Sequence, residues 1–225
     1  MAINEVFSEK YRPKKLSEII GQGEGLRQII SSLKSKERSM LIHGPIGCGK
    51  TSAVHAAAND LGYDIIEMNT SDLADKRSIR EVIGNASAQR SLFSRSKIIF
   101  IDEIDSLGNQ NHGSANEISS LIDSSSYPII MCANKPFEKS VAQIRKKSKL
   151  IQFKKIERNE TIILLKKICE KEEIMADENC LRQIALLSEG DIRAAINDLQ
   201  ASGKVVSGIS VSKREKEKED RKSVV

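Results

Sequence analysis

Short apolar runs alternate with longer amphipathic segments between about residues 20 and 155. The apolar runs predict buried strands, because a strand covered on both faces of a parallel sheet is hydrophobic throughout. The segments between them, such as Leu26–Leu33, carry apolar residues three and four positions apart and predict helices. Strands are predicted at Met40–His43, Ile65–Asn69, Lys97–Ile101, Pro128–Ala133 and Leu150–Phe153. This alternation predicts an α/β fold of three layers, with a parallel five-stranded sheet between helices.

The pattern changes after Phe153. From Glu157 onward the amphipathic segments continue without a convincing strand run, which predicts a small all-helical domain. The end of the chain carries many charges of both signs and almost no apolar residues, which is typical of a linker or a solvated helix end. We therefore predict an α/β domain at residues 1–155, a helical domain at 156–208 and a charged tail at 209–225.

The composition is that of a globular protein without a disulfide framework. Of the 225 residues, 39% are hydrophobic and 30% are charged, and the net charge of +5 indicates an anionic partner only if the basic residues cluster. The four cysteines form no C-x-x-C pair, which favours reduced thiols. We find neither a secretory signal nor an apolar stretch of about 20 residues. These features predict a soluble intracellular protein with no membrane partner.

A glycine-rich stretch follows the first predicted strand and precedes a predicted helix. Its residues GPIGCGKT fit the P-loop spacing, in which backbone N–H groups and a helix N-terminus surround phosphate oxygens. We expect Lys50 to reach the β- and γ-phosphates of a nucleotide and the Thr51 hydroxyl to bind Mg²⁺. The alternative is a glycine-rich turn without a ligand. The predicted nucleotide-binding residues of this loop are Gly44, Pro45, Ile46, Gly47, Cys48, Gly49, Lys50 and Thr51.

Two acids end the third predicted strand. Because the carboxyl ends of parallel strands meet at one edge of the sheet, we expect Asp102 and Glu103 to face the phosphate loop. Asp102 is predicted to hold Mg²⁺ through its water shell, and Glu103 to orient and polarise the attacking water. The alternative is a strand end with two solvated acids. We interpret Asp105 as a cap of the helix that follows.

Two further polar residues are candidates for contact with a nucleotide. The amide of Asn134, after the fourth predicted strand, is placed to bind the γ-phosphate or the attacking water, although an asparagine before Pro136 also commonly starts a turn. Arg193 stands in the first turn of a predicted helix, where the helix dipole disfavours a cation. Its position indicates a nearby anion such as a phosphate, and the alternative is a salt bridge with an acidic side chain.

Taken together, the motifs resemble those of AAA+ ATPases, and more narrowly those of clamp loaders. KYRPKKLSEIIGQ resembles the N-terminal signature of replication factor C subunits, of which the archaeal large subunit is the most similar type. GPIGCGKT, IIFIDEID, CANKP and GDIRAAINDLQ match the Walker A, Walker B, sensor 1 and sensor 2 motifs of that family in order. The resemblance implies a P-loop domain with sheet order 5-1-4-3-2, a helical lid, and ATP with Mg²⁺ as ligands. The adenine-pocket residues that it implies are Tyr11, Arg12, Pro13 and Ile20.

One stretch departs from the pattern of the family's small subunits. Those subunits carry Ser-Arg-Cys before the fifth strand, and that arginine reaches the ATP site of a neighbouring subunit. Here Lys147, Ser148 and Lys149 stand in that place, with Arg145 as the nearest arginine, so the resemblance implies that the chain donates no arginine finger. Large subunits also continue into a collar domain and a clamp-binding tail. We therefore interpret the chain as a fragment or an unusually short member without the collar domain.

Basic residues after the second predicted strand are candidates for contact with DNA. Lys76, Arg77 and Arg80 fall on the side that clamp loaders turn toward the duplex, where cations neutralise backbone phosphates without reading sequence. The alternative is a solvated basic helix face. No aromatic residues stand between the basic ones, so stacking on single-stranded bases is not indicated.

The resulting hypothesis is an ATP-binding large subunit of a hetero-oligomeric clamp loader, an ATPase that is weak in isolation. With small subunits it would load the sliding clamp onto primer-template DNA during replication, and a neighbouring subunit's arginine would complete ATP hydrolysis. One alternative is an ATP-gated scaffold subunit without useful hydrolysis, which the presence of Glu103 argues against. Another is a checkpoint-type or helicase-type AAA+ motor. The expected location is the cytoplasm, at the nucleoid, or the nucleus of a eukaryote.

Overall fold

The computed structural model describes residues 5–68, 96–107, 112–203 and 205–206. Within them the chain forms two compact units, one of residues 13–154 and the other of residues 5–12 together with residues 155–206. The predicted DNA-contacting residues Lys76, Arg77 and Arg80 lie outside the described residues, and so does the predicted tail.

The first unit is built on a parallel sheet of five strands, in the order β2-β3-β4-β1-β5. The strands are β1 (Ser39–His43), β2 (Asp64–Met68), β3 (Lys97–Ile101), β4 (Ile129–Ala133) and β5 (Lys149–Gln152). Read from the other edge, this order is 5-1-4-3-2, so the predicted fold class is confirmed. Strands β1, β3 and β4 are almost fully buried, whereas in the edge strand β5 only Ile151 is buried. Hydrophobicity therefore marks the ends of β5 poorly, and the strand begins one residue earlier than predicted, at the exposed Lys149, and ends before Phe153.

Helices connect the strands and continue into the second unit. They are α1 (Phe7–Lys10), α2 (Gly23–Lys34), α3 (Lys50–Leu61), α4 (His112–Ser124), α5 (Ala142–Lys147), α6 (Arg158–Glu172), α7 (Glu178–Leu187) and α8 (Ile192–Ser202). Short 3-10 turns lie at Leu16–Glu18, Ile104–Leu107 and Lys139–Val141. Among the residues that the structure covers, no helix combines the length and the apolar character needed to cross a bilayer.

Helices pack on both faces of the sheet, which makes the first unit a three-layer domain. Because side chains alternate along a strand, neighbouring residues face opposite layers. On one face, Leu41 packs in a buried cluster with Ile118 of α4 and Ile144 of α5. On the other face, the Phe100 ring lies 5.6 Å from the ring of His55 on α3. Because all five strands are parallel, their carboxyl ends meet at one common edge of the sheet.

The second unit has a separate apolar core, formed by α6, α7 and α8. Its buried residues are Leu165, Ile168, Cys169, Cys180, Leu181, Ile184, Ala195, Ile196 and Leu199. The carboxylates of Asp177 and Asp191 cap α7 and α8 by accepting from backbone N–H groups in the first turns. The predicted helical domain is confirmed. It also contains a parallel pairing of two short strands, β6 (Met175–Ala176) and β7 (Val205–Val206), which are too short to leave a hydrophobic pattern.

Residues 5–12 pack on this helical core. Phe7 and Tyr11 contact its apolar residues. Gln200 of α8 binds the backbone of the segment, because its side chain accepts from the Phe7 N–H at 2.8 Å and donates to the Glu5 carbonyl at 3.1 Å. The sequence division placed residues 1–155 in one domain, but residues 5–12 belong by their contacts to the helical unit, against whose core the partly buried Phe7 and Tyr11 pack.

Glu172 at the end of α6 makes a second attachment for this segment. Its carboxylate accepts from the Lys10 ammonium and from the Tyr11 hydroxyl. The hydrogen bonds from Lys10 and Tyr11 hold the pKa of Glu172 below its usual range. Burial, with the Glu172 carboxylate adding to it, raises the pKa of Tyr11 to about 12. The segment is therefore held by a backbone attachment on α8 and a side-chain attachment on α6.

Replacing Gln200 with alanine is expected to loosen residues 5–12 while the core of the helical unit stays folded. The variant loses two hydrogen bonds, each worth about 1 kcal/mol. We expect faster amide hydrogen exchange in a peptide covering residues 5–12, measured by mass spectrometry. Asn197→Ala, at an exposed position of the same helix, is the control and should leave this exchange unchanged. Equal exchange in the Gln200 variant and the wild type would contradict the attachment.

The Glu172 attachment predicts a pH dependence of stability. Because the folded-state pKa of Glu172 lies below its unfolded value of about 4.3, this group stabilises the fold above that pH, and the effect is lost as the pH falls through the folded-state pKa. Glu172→Gln should therefore lower the Tm at pH 7, with a difference that shrinks at about pH 3. Thermal unfolding at both pH values measures it. Glu170→Gln, an equal charge change at an exposed position of α6, serves as control, and a pH-independent difference would refute the linkage.

Candidate nucleotide-binding site

The predicted phosphate loop joins the carboxyl end of β1 to the N-terminus of α3. Gly47 and Gly49 have φ angles of 68° and 92°, in the left-handed region that favours glycine. Gly44 packs closely on the residue after β5, where an added Cβ would lie 2.4 Å from the carbonyl oxygen of Phe153. The loop therefore depends on glycine at these positions. It ends where the dipole of α3 favours an anion.

The Lys50 ammonium is the centre of the hydrogen bonding in this loop. The residue is 8% exposed, and its Nζ donates to the carbonyl oxygens of Gly44 at 2.9 Å and Pro45 at 2.8 Å, and to Asn134 Oδ1 at 2.8 Å. These contacts use all three ammonium donors. All three acceptors are neutral, so the contacts orient the cation without cancelling its charge. Such a cation is well suited to bind a phosphate oxygen.

Thr51 and Asp102 come together beside this lysine. The Thr51 hydroxyl donates to Asp102 Oδ2 at 2.6 Å, and Asp102 Oδ1 accepts from the Glu103 N–H at 2.9 Å. Hydroxyl and carboxylate oxygens are the ligands that Mg²⁺ prefers, so this pair fits the metal that the motif implies. Glu103 is exposed and has a φ of 51°, which for a residue with a side chain costs about 1 kcal/mol. Strain of this kind is concentrated at functional sites.

Asp105 connects the ends of β3 and β4. Its Oδ2 accepts from the backbone N–H groups of Asn134 at 3.1 Å and Lys135 at 3.0 Å. Its Oδ1 is buried and has no hydrogen-bond partner among the described residues. The interpretation of Asp105 as a cap of the following helix is therefore wrong: the 3-10 turn after β3 directs its carboxylate to the neighbouring strand end, where two N–H groups need an acceptor.

Gln22 is a structural support that the sequence reasoning missed. Its side chain is 2% exposed and donates to the carbonyl oxygens of Cys48 at 3.2 Å and Lys154 at 2.7 Å, while its Oε1 accepts from the Lys154 N–H at 3.0 Å. The amide thereby joins the phosphate loop to the segment after β5. A buried glutamine gives no local signal of such a role, because its partners lie 26 and 132 positions away.

Burial, together with charges at the strand ends, changes the pKa values of two neighbouring groups. Burial, and then the nearby Lys50 ammonium, lowers the pKa of His43, so this imidazole is neutral at pH 7. Burial and then the Asp102 carboxylate raise the pKa of the Cys132 thiol well above its usual range, which keeps the thiol protonated. Neither group is therefore charged in the neutral pH range.

The other predicted site residues are divided between the two units. Pro13 and Ile20 lie in the unit of the phosphate loop and are both partly buried. Tyr11, Arg12 and Arg193 belong to the helical unit. Arg193 is the second residue of α8 and is exposed. The structure thus brings together the phosphate-loop lysine, the Thr51–Asp102 pair and the Asn134 amide, and the roles of all these residues in binding stay predictions.

Comparison with known families matches both units. Residues 40–156 match the family described as ATPase family associated with various cellular activities (AAA). Residues 164–202 match the family described as RCF1/5-like, AAA+ ATPase lid domain. The two matches agree with the predicted order of a P-loop domain followed by a lid.

Curated relatives are named replication factor C large subunit. The chain is 42% identical over 199 residues to the protein of Staphylothermus marinus, which covers 85% of the chain and 47% of that relative. It is 40% identical over 197 residues to the protein of Nanoarchaeum equitans, and this alignment covers 85% of the chain and 46% of that relative. For Pyrobaculum calidifontis the identity is 38% over 216 residues, covering 85% and 51%. The chain thus spans about half the length of these relatives, and the predicted resemblance to the archaeal large subunit is confirmed.

Solved structures support the fold alone. A RuvB mutant from Thermotoga maritima superposes with a TM-score of 0.71 at 18% identity, covering 91% of this chain and 72% of that protein. A second RuvB mutant from the same organism gives 0.69 at 20% identity, with the same coverage.

Removal of the Gln22 amide is expected to lower the affinity of the phosphate loop for ATP. Gln22→Ala removes the hydrogen bonds that the side chain makes to the Cys48 carbonyl and to the backbone of Lys154, each worth about 1 kcal/mol. We expect about a tenfold loss of affinity for ATP, measured by calorimetric titration. Gln28→Ala, which removes an exposed glutamine amide from α2, is the control and should bind as the wild type does. Unchanged affinity in the Gln22 variant would show that the attachment does not support the loop.

Proposed function

Because the chain belongs to the AAA family of ATPases, we propose that it is the ATP-binding large subunit of a hetero-oligomeric clamp loader. The observation that supports this proposal best is the Lys50 ammonium, held by neutral oxygens between the phosphate loop and Asn134. This observation supports nucleotide binding, and the similarity to relatives named replication factor C large subunit supports the clamp-loading part of the proposal. In this proposal the chain acts with small subunits, a sliding clamp and primer-template DNA, as a soluble protein at the site of replication.

The phosphate loop binds the triphosphate of ATP in this proposal. Lys50 exchanges its bonds to the loop carbonyls for bonds to the β- and γ-phosphates, which carry the negative charge that its present acceptors lack. Thr51 and Asp102 hold Mg²⁺, which neutralises charge on the phosphates when bound. The adenine-pocket roles of Tyr11, Arg12, Pro13 and Ile20 are part of the same proposal.

Glu103 and Asn134 serve the hydrolysis step. Glu103 is exposed next to Asp102, so its carboxylate is available to orient and polarise a water molecule for attack on the γ-phosphate. Asn134 points its Oδ1 to Lys50, which supports its proposed role next to the γ-phosphate. Arg193, on the helical unit, is proposed to bind the same phosphate group when the site is assembled.

The site is completed by a neighbouring subunit. In the stretch before β5, the Arg145 guanidinium donates to the Pro136 carbonyl at 2.8 Å and lies 5.0 Å from the centre of the Phe137 ring. Lys147 pairs with Asp123. These internal contacts support the proposal that this chain donates no arginine finger and that an arginine from a small subunit reaches its own ATP. The proposed DNA contacts remain Lys76, Arg77 and Arg80.

The proposal predicts an ATPase that is silent alone and active in the assembly. We expect negligible turnover of the isolated chain, and turnover of at least about 1 s⁻¹ on mixing with small subunits, clamp and primer-template DNA. Phosphate release measures both. Strong turnover by the chain alone would contradict the arginine in trans, and equal turnover of wild type and Glu103→Gln in the assembly would favour the scaffold alternative. Failure to capture a clamp would favour a checkpoint-type or helicase-type motor.

A further inference from the structure

Asp105 is partly buried, and only one of its carboxylate oxygens bonds to the part of the chain that the structure describes. Oδ2 accepts from two successive backbone N–H groups, those of Asn134 and Lys135, at 3.1 and 3.0 Å. Oδ1 is buried and makes no hydrogen bond within residues 5–68, 96–107, 112–203 and 205–206. A buried polar atom in this state is destabilising by about 1–3 kcal/mol, and such atoms are rare enough in folded proteins that each calls for an explanation. Helix capping does not provide one, since the bonded oxygen faces another strand end.

The two N–H groups that Asp105 binds belong to the turn that begins with Asn134. The same backbone carries the Asn134 side chain, whose Oδ1 accepts from the Lys50 ammonium at 2.8 Å. A continuous chain of contacts therefore runs from the end of β3, through Asp105 and Asn134 at the end of β4, to Lys50 after β1. Asn134 is the middle residue of this series, because β4 lies between β3 and β1 in the sheet. The hydrogen bonds of Asp105 hold its backbone in place.

We infer that Asp105 is a positioning residue that holds the Asn134 amide in place for recognition of the γ-phosphate, and so sets the preference of the site for ATP over ADP. The inference rests on the proposed nucleotide-binding function. Asp105 acts through Asn134 and touches no phosphate itself. The acceptor oxygen is the essential feature, because a single Oδ2 makes both bonds to the turn and the second oxygen makes none.

Two substitutions separate the acceptor from the charge. Asp105→Ala removes the acceptor, so the N–H groups of Asn134 and Lys135 lose their partner. Asp105→Asn keeps one oxygen for both N–H groups and places an NH₂ where Oδ1 now lies. If the alanine variant does not fold, Asp105→Ser, whose hydroxyl is too short to reach the turn in the same way, replaces it. Asp60→Ala is the matched control. Asp60 also accepts from a backbone N–H, that of Leu16 at 2.8 Å, but it lies near the C-terminus of α3, at the other end of that helix from the phosphate loop.

The first measurement is calorimetric titration of each variant with MgATP and with MgADP. For Asp105→Ala we expect the affinity for ATP to fall about five- to tenfold and the affinity for ADP to change less than about twofold. Asp105→Asn should keep the ratio of the two dissociation constants within about twofold of the wild-type ratio. The Asp60 variant should keep the wild-type ratio of the dissociation constants for ATP and ADP, even if its Tm is lower.

The second measurement needs no nucleotide. Amide hydrogen exchange at Asn134 and Lys135, followed by NMR, should be slow in the wild type and in Asp105→Asn, and faster in Asp105→Ala. Equal exchange in all three would overturn the inference, and so would an equal loss of ATP and ADP affinity in Asp105→Ala. A folded Asp105→Asn that loses ATP preference as the alanine variant does would also overturn it. If the wild type bound neither nucleotide, the proposed function would fail, while the exchange result would still decide whether Asp105 holds the turn.

Discussion

The site depends on one constraint, which is that all five strands of the sheet run in the same direction. Their carboxyl ends therefore meet at one edge, and the order places β4 between β3 and β1. Side chains that are far apart in the sequence become neighbours there: Lys50 after β1, Asp102 after β3 and Asn134 after β4. The Lys50 ammonium bonds across this edge to Asn134, and Thr51 bonds across it to Asp102. Neither contact would exist if one of these strands were reversed.

Much of the sheet could be predicted because its central strands are buried on both faces. Each reads as a continuous apolar run, and the run ends where the strand ends, just before a polar residue such as Asp102. Edge strands are less well marked: β5 is exposed except at Ile151, so its first residue could not be read from hydrophobicity. The two-residue strands of the helical unit are invisible to any pattern of this kind, since pairing across 30 positions decides them.

The site was predictable where a residue type follows from its local motif, and it was not where the role depends on a distant partner. Lys50 and Thr51 are recognised by their spacing from Gly44 and by the adjacent helix. Gln22 and Asp105 carry no such mark, because an amide or carboxylate that supports a turn elsewhere looks like any other polar residue. The N-terminal signature at residues 10–22 was likewise assigned to a single domain, although residues 10–12 belong to the helical unit and residues 13–22 to the α/β unit.

The backbone at Glu103 has a consequence for how this protein tolerates change. A glycine there would adopt the φ of 51° without strain, and the fold would gain stability from it, but the carboxylate would be gone. Stability and chemistry thus oppose each other at this one position, whereas at Gly44 and Gly49 they favour the same residue. Selection for a more stable protein alone would drive the sequence toward a chain that still holds a phosphate loop and no longer carries its proposed general base.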